Sequence, residues 1–527
     1  MKPLNPDQQA AANAIDGDYV VIAGPGSGKT TVLLQRHLNM LSRGISPKDV
    51  MNLTFTNSAA TEMQERSGIV MDEKVFRTFH SFALDLMQRE RAHHLFPLCD
   101  TVIGVRGEPF QLLKDLMKLY PAITTFKSLK DKIEEWQCAN VDPDQAIEET
   151  YRLTGTEYFY ACAYKDYEEK CRKQGWLDFH GLMKETVKLL EVNEDVRKRS
   201  IKKYVSVDEC QDTDTTQFRL LQLIYGGNIF VVGDENQLIY EWRSAQAGNL
   251  TNFGRVFPKA RTLYLGQNYR STQKLVSFFK AILPVDNGLA SHMVSMREEG
   301  LGPTFTRYAD EYEESEVVVD SAAADVANTA ILARTNRQLM TIQKIAMARG
   351  IKSRILGKKN VWEQNEVKHL LDLAKEVKHD DRPAHVVLNE LMNQNNLIHR
   401  YRNTGSATEK DPVENLNDII RMSAKRGTTA EFLKWLTKLT YGAKSDKKPA
   451  LTFSTVHQAK GREWKNVFVI GASQGKMPHK DGELLEEHRI FFVACSRAAD
   501  SLDISWYGPH SQFLNEFTKE FETYGEE

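Results

Sequence analysis

Residues 19 to 31, Tyr-Val-Val-Ile-Ala-Gly-Pro-Gly-Ser-Gly-Lys-Thr-Thr, set an apolar β-branched run in front of a glycine-rich turn that closes on Lys-Thr. That pattern suits phosphate chemistry. Gly24, Gly26 and Gly28, with Ser27 among them, let the backbone curl so that its N–H groups point inward, Lys29 reaches the β- and γ-phosphates, and the Thr30 hydroxyl can hold Mg²⁺. The helix that follows presents its positive end to the same anion. Ala23 stands where the strict pattern has glycine, and glycine-rich turns after strands also occur without nucleotide; strand, Lys-Thr pair and helix together point to a nucleotide site. Residues 205 to 213, Val-Ser-Val-Asp-Glu-Cys-Gln-Asp-Thr, place two adjacent carboxylates at the end of another strand. Asp208 can complete a Mg²⁺ shell and Glu209 can polarise an attacking water, so a γ-phosphate would be hydrolysed and not merely bound. The bland alternative is a helix N-terminus that favours acids.

Side chains of this kind need rigid strands behind them. Short β-branched runs recur at 50 to 56, 204 to 209, 229 to 234, 328 to 333, 451 to 457 and 465 to 471, most of them followed by a polar turn and a helical pattern, as in parallel α/β sheets. Two stretches interrupt the alternation. Residues 86–199 and 375–450 carry helical patterns and no comparable strand run, which predicts an inserted helical subdomain in each half. The second stretch holds 14 Lys/Arg against 10 Asp/Glu, a net +4, whereas Asp310 to Glu316 is an acidic run expected to form a solvated face.

At 527 residues the chain exceeds one ordinary core and suggests roughly three or four domains. With a net charge of -2 nothing is globally basic, so nucleic acid would have to bind in a local groove, helped by stacking. No apolar run approaches the ~18 residues of a membrane span, and Met-Lys-Pro-Leu-Asn-Pro at the start lacks a signal peptide's apolar core. A soluble, cytoplasmic protein with no membrane partner is therefore expected. Cys99, Cys138, Cys162, Cys171, Cys210 and Cys495 contain no Cys-x-x-Cys pair, so their spacing predicts neither zinc nor disulfides but reduced, mostly buried thiols.

Asp208-Glu209-Cys210-Gln211-Asp212-Thr213, with Ala23 to Thr30, resembles the UvrD/Rep/PcrA family of superfamily 1 DNA helicases. The match continues in order. Leu4-Asn5-Pro6-Asp7-Gln8-Gln9 is similar to the adenine-reading Q motif, Thr54 to Ala60 to motif Ia, Thr78-Phe79-His80-Ser81 to motif Ib, and Gly175 to Phe179 to the family's Asp-Phe element. Val232 to Arg243 resembles motif III, Gln267 to Thr272 motif IV, and Thr455 to Glu463 and Val493 to Ala498 complete the set.

The resemblance implies an α/β fold of two RecA-like parallel-sheet cores, each interrupted by a mainly helical insertion: 1–85 with 200–265, insertion 86–199, then 266–374 with 451–527, insertion 375–450. It implies ATP and Mg²⁺ as cofactors, with Lys29, Asp208, Glu209, Gln237, Arg270 and Arg497 in catalysis; Gln237 would sense the γ-phosphate and the two arginines would act as fingers. Taken singly, either arginine also reads as a surface ion pair. Gln8, Gly24, Gly26, Ser27, Gly28, Lys29, Thr30, Thr31, Tyr269 and Glu463 would surround the nucleotide. Phe55, Thr56, Asn57, His80, Tyr240, Trp242, Arg243 and His457 would line the DNA path, where aromatic stacking is sequence-blind. Phe55 also reads as core, and His80 reads equally as a phosphate contact or a cap.

Two departures matter. Relatives commonly carry arginine where this chain has Thr31, so base recognition would lean on Tyr269 stacking and Gln8. The second insertion is about half the expected length and the relatives' C-terminal tail is lacking, leaving no room for a nuclease domain. The implied activity is a 3′-5′ DNA helicase and translocase acting on single-stranded and junction DNA as a monomer, with accessory repair, replication or nuclease proteins as candidate partners. A nucleotide-gated recruitment ATPase and an RNA-remodelling ATPase are the alternatives.

Overall fold

The computed structural model describes residues 3–67, 75–91, 108–139, 141–151, 155–240, 248–357, 360–401, 412–440 and 449–518. The chain divides into two compact units, Met1–Gln267 with Asp286–Met293, and Asn268–Val285 with Val294–Glu527.

The first unit runs α1 (Pro6–Asn13), β1 (Tyr19–Ala23), α2 (Lys29–Ser42), β2 (Val50–Thr54), α3 (Asn57–Ser67), β3 (Phe76–Thr78) and α4 (Phe79–Arg89). It continues through α5 (Glu108–Leu119), α6 (Phe126–Cys138), α7 (Pro143–Thr150), α8 (Glu157–Gln174), α9 (Phe179–Val192) and α10 (Glu194–Ser200). Then come β4 (Lys202–Val207), α11 (Thr215–Ile224), β5 (Tyr225–Gly233), α12 (Phe253–Val256) and β6 (Arg261–Leu265). The six strands form one parallel sheet in the order β3-β2-β4-β5-β1-β6. Strands covered by helices on both faces read as unbroken apolar runs, and successive side chains divide between the faces. Val20, Met51, Leu53, Val205, Val207, Ile229 and Val231 pack with α4, α9, α10 and α11 on one face. Tyr19, Val21, Val50, Tyr204, Phe230 and Val232 pack with α1, α2 and α3 on the other.

Helices α5 to α8 have their own core around Leu116, Leu129, Ile133, Trp136, Tyr164 and Tyr167. That separate core ends near Trp176; α9 and α10 belong to the layer beneath the sheet.

The second unit contains most of the remaining elements. Strands β7 (Gln267–Asn268) and β8 (Val294–Ser295) are two residues each, with α13 (Gln273–Ala281) and α14 (Leu289–His292) between them; α14 belongs to the first unit. Next come β9 (Thr304–Tyr308), α15 (Glu311–Ala322), β10 (Thr329–Ala333), α16 (Asn336–Ala348) and β11 (Ser353–Ile355). Five helices follow, α17 (Asn365–Glu376), α18 (Ala384–Gln394), α19 (Leu397–Tyr401), α20 (Pro412–Ser423) and α21 (Thr429–Thr440), and pack as a lobe around Leu370, Leu388, Leu416 and Phe432. β12 (Leu451–Thr455), α22 (Val456–Ala459), β13 (Trp464–Val469), α23 (Leu484–Cys495) and β14 (Ala498–Tyr507) complete the strands and α-helices of the described residues, and the parallel sheet has the order β11-β12-β10-β13-β14-β9.

The β-branched runs read from the sequence all contain strands. The strands without such a run are short (β3, β7, β8, β11), exposed along the sheet edge (β6, β9), or open on Ala-Ala-Asp (β14). The acidic run Asp310 to Glu316 is not wholly a solvated face. Asp310 caps α15, and Glu314 is buried because it lies one turn from Val318 on the core face. It accepts hydrogen bonds from the Gly471 N–H (2.9 Å) and the Ser505 hydroxyl (2.6 Å), and burial pushes its carboxyl up to about 7. Among the described residues no helix is long and apolar enough to cross a membrane.

One buried cation ties the glycine-loop helix to the sheet. Arg36 on α2 is fully buried, donating to the carbonyls of Ala14 and Ile15 (both 3.1 Å) and the Ser206 hydroxyl (2.9 Å), with its guanidinium 4.7 Å from the Phe230 ring centre. Burial pulls its pKa down to about 10. Arg36→Ala strands those acceptors and should cost about 2–4 kcal/mol, seen as an earlier thermal transition. Lys198→Ala, which breaks an exposed i,i+4 pair with Glu194, should shift stability by less than about 0.5 kcal/mol.

Candidate active site at the carboxyl edge of the first sheet

β4, β5 and β1 are neighbours in the sheet, so the loops leaving their carboxyl ends meet. This is where α/β sheets bind ligands. After β1 the chain turns through Gly24 to Ser27, where the Ser27 hydroxyl donates to the Gly24 carbonyl (2.7 Å), and enters α2 at Lys29. Gly26 and Gly28 have φ of 68° and 83°, the left-handed region that glycine enters at least cost. Gly28 is constrained twice, because a Cβ there would lie 2.8 Å from the Gln8 amide nitrogen. Gln8 is buried against the loop: its Nε2 donates to the Ser27 carbonyl (2.9 Å), and it forms a capping box with Asn5 at the start of α1. The capping asparagine thereby fixes the residue expected to read adenine, and an amide retains further hydrogen-bonding capacity beyond these bonds.

Lys29 Nζ lies 3.5 Å from Glu209 Oε2. Glu209 itself has φ 50° and ψ 45°, a left-handed conformation that costs a non-glycine residue roughly 1–2 kcal/mol and clusters at functional sites. Its N–H donates to Asp208 Oδ1 (3.0 Å), and its carboxylate accepts from Gln211 Nε2 (2.6 Å). The Gln211 carbonyl oxygen in turn accepts from the Asp234 N–H (3.0 Å), and Asp234 Oδ2 accepts from Gln237 Nε2 (2.7 Å). Glu209, Gln211, Asp234 and Gln237 thus form one hydrogen-bonded chain spanning the ends of β4 and β5. Gly233 makes room for it, since a Cβ there would sit 2.2 Å from Gln211 Oε1.

The site is rich in negative charge. Asp208 and Asp234 are buried; burial, and then the Glu209 carboxylate, push the Asp208 carboxyl up to about 7, with Lys29 opposing, and burial also raises Asp234. A single lysine does not balance three carboxylates. Hard carboxylate oxygens at a site short of positive charge suit a cation such as Mg²⁺.

Of the residues expected along the DNA path, Phe55 and Tyr240 come together: both are half-exposed, with ring centres 5.7 Å apart and planes 19° apart. Thr56 and Asn57 are exposed beside them; the Thr56 hydroxyl accepts from the Ala59 N–H at the start of α3, and Asn57 Oδ1 accepts from the Thr78 hydroxyl (3.4 Å). The His80 ring packs edge-on against Phe179, and burial, then the nearby His180, pull its pKa down to about 4. It is therefore a neutral imidazole at neutral pH, able to hydrogen-bond but not to offer a phosphate a charge. Trp242 and Arg243 lie outside the described residues. Thr31, which stands in place of the expected arginine, receives Arg66 of α3 in a long contact of 3.5 Å to its hydroxyl.

In the second unit, Asn268 Oδ1 accepts from the N–H groups of Arg270 and Ser271 (both 2.8 Å), a tight turn that leaves Tyr269 45% exposed. Arg270 donates to Glu463 Oε2 (2.6 Å) and to the Ser496 carbonyl (3.0 Å). Arg497 is buried, its guanidinium donating to the Val493 and Arg462 carbonyls and to the Ser496 hydroxyl. His457 is half-buried on α22 just past β12. Sequence reasoning passed over Gln211, Asp234, Asn268 and Arg66; the first three lie inside the motifs that drew notice to their neighbours.

Two family models together match most of the chain. The model of the UvrD/REP helicase N-terminal domain covers residues 4–258, and that of the UvrD-like helicase C-terminal domain covers 263–384 and 372–508. The chain belongs to the UvrD/Rep helicase family. It is 26% identical over 616 residues to the ATP-dependent DNA helicase PcrA of Bacillus subtilis, covering 95% of this chain and 82% of that one. Against the ATP-dependent DNA helicase Rep of Escherichia coli it is 26% identical over 613 residues, 95% and 90% of the two chains, and against DNA helicase II of that organism 25% over 643 residues, 98% and 88%. The two parallel sheets are the family's two RecA-like cores, each with helical insertions. Within a UvrD-type site a carboxylate that activates water needs an orienting partner. Gln211→Ala should lower the ATPase kcat about 10- to 100-fold with less than a threefold change in KM for ATP, measured by steady-state kinetics.

Proposed function

We propose that this chain is an ATP-dependent DNA helicase that translocates 3′ to 5′ on single-stranded DNA and unwinds the duplex ahead of it. The observation that carries the proposal is the convergence of Lys29, Asp208 and Glu209 at the carboxyl edge of β1 and β4, in a chain of the UvrD/Rep family. In this reading Lys29 neutralises the β- and γ-phosphates, Thr30 and Asp208 hold Mg²⁺, Glu209 accepts the proton of the attacking water, and Gln237 senses the γ-phosphate through Asp234. Arg270 and Arg497 serve as arginine fingers. Arg270 is the readier of the two, because its partner Glu463 is exposed whereas Arg497 donates to buried backbone. Tyr269 stacks on the base, Gln8 hydrogen-bonds to it, and Glu463 contributes to nucleotide binding. Phe55 and Tyr240, with Trp242, form the stacking platform, and Thr56, Asn57, His80, Arg243 and His457 contact the DNA backbone.

The basic stretch 375–450 is read as a grip on duplex phosphates that weakens with salt. The protein acts as a cytoplasmic monomer, with accessory repair, replication or nuclease proteins as its partners.

Strand displacement on tailed duplexes tests the proposal. A 3′ single-stranded tail should be required, Lys29→Ala should abolish both ATP turnover and unwinding, and Phe55→Ala should reduce DNA-stimulated ATPase far more than basal ATPase, since one stacked base is worth roughly 1–3 kcal/mol. Unwinding only from 5′ tails would overturn the polarity. ATP turnover without any unwinding would favour a recruitment ATPase, and stimulation by RNA but not DNA would favour an RNA motor.

A further inference from the structure

Away from the hydrolysis site, three side chains from distant parts of the first unit meet. Cys138 is the last residue of α6, His180 lies in the first turn of α9, and Asp214 caps α11 directly after the Asp208 to Thr213 segment. One ligand atom from each lies within 4.8 Å of the other two, and Cys138 and Asp214 are buried. The Cys138 sulfur is 3.0 Å from His180 Nδ1 and 4.0 Å from Nε2. Among the described residues this is the one such group of His, Cys, Asp or Glu side chains.

We propose that Cys138, His180 and Asp214 form a binding site for a zinc-class divalent cation. Thiolate, imidazole and carboxylate make a mixed soft and borderline set that suits Zn²⁺ and not Mg²⁺, which prefers oxygen alone. The geometry is close to what a tetrahedral ion needs: with Zn–S about 2.3 Å and Zn–N about 2.0–2.1 Å, sulfur and nitrogen stand about 3.5 Å apart, so the two side chains need to open by about half an ångström. Asp214 Oδ1 already accepts the Gln217 N–H (2.7 Å), and a carboxylate has lone pairs for a metal besides. Binding replaces the thiol proton with the cation, releasing that proton. A water would take the fourth position. So placed, the ion would pin the end of the α5 to α8 lobe to α9 and to the segment carrying Asp208 and Glu209, which makes it a structural clamp between the lobe and the hydrolysis site.

The test uses the full chain, purified without a polyhistidine tag, stripped with chelator and titrated with Zn²⁺ or Co²⁺ alone. About one ion per chain should bind at micromolar concentration, raising the thermal midpoint, and Co²⁺ should show a thiolate-to-metal charge-transfer band with tetrahedral d–d bands. Cys138→Ser should lose the charge-transfer band, His180→Ala should lose stoichiometric binding, and Cys162→Ser should change neither. If Cys138→Ser fails to fold, Asp214→Asn and the wild-type Co²⁺ spectrum still decide. Absence of micromolar binding, or a Co²⁺ spectrum without the thiolate band, would overturn the proposal and leave a hydrogen-bonded Cys–His pair.

Discussion

A lysine at the first position of a helix sits where the helix's own positive end disfavours it, and Lys29 is largely buried there. It needs an anion. Glu209 supplies one at 3.5 Å, from a backbone conformation that few side chains other than glycine adopt willingly. Much of the first core serves this pair. β1 and β4 flank β5, Arg36 fastens α2 to Ser206 on β4, and Gly28 and Gly233 remove the Cβ atoms that would collide with Gln8 and Gln211. Under the proposed function a triphosphate on the loop would compete with Glu209 for Lys29, so nucleotide binding would free the carboxylate assigned to water activation.

Gln211 then decides where that freed carboxylate points. Its amide holds Glu209 with one end and the Asp234 N–H with the other, and Asp234 holds Gln237. Three residues beyond Gln237 the segment reaches Tyr240, stacked on Phe55. Continuity of this kind gives the nucleotide site and the aromatic pair a shared rigid segment.

The sequence made legible whatever is carried by contiguous residues. The glycine loop, the Asp208-Glu209 pair and the strands behind them are local patterns, and the structure forms each where its pattern lies. What stayed hidden depends on packing between distant segments. Glu314 reads as one more acid in a solvated run until the helix face that buries it is known. His80 reads equally as a phosphate contact or a cap, and only its burial beside Phe179 and His180 indicates that it offers a hydrogen bond and not a charge. Arg66 approaches Thr31 from another helix. Cysteine spacing pointed away from a metal, whereas the cluster of Cys138 with His180 and Asp214 draws on three elements that no local spacing rule connects.

The most direct measurement compares equilibrium binding of a non-hydrolysable ATP analogue with single-turnover hydrolysis of ATP in Glu209→Gln. If Glu209 is the base and a competitor for Lys29, the variant binds the analogue at least as tightly as the natural chain while hydrolysis falls by about 100-fold or more. A collapse of analogue affinity alongside the loss of hydrolysis would contradict this, and would make Glu209 a ligand of the nucleotide or its metal.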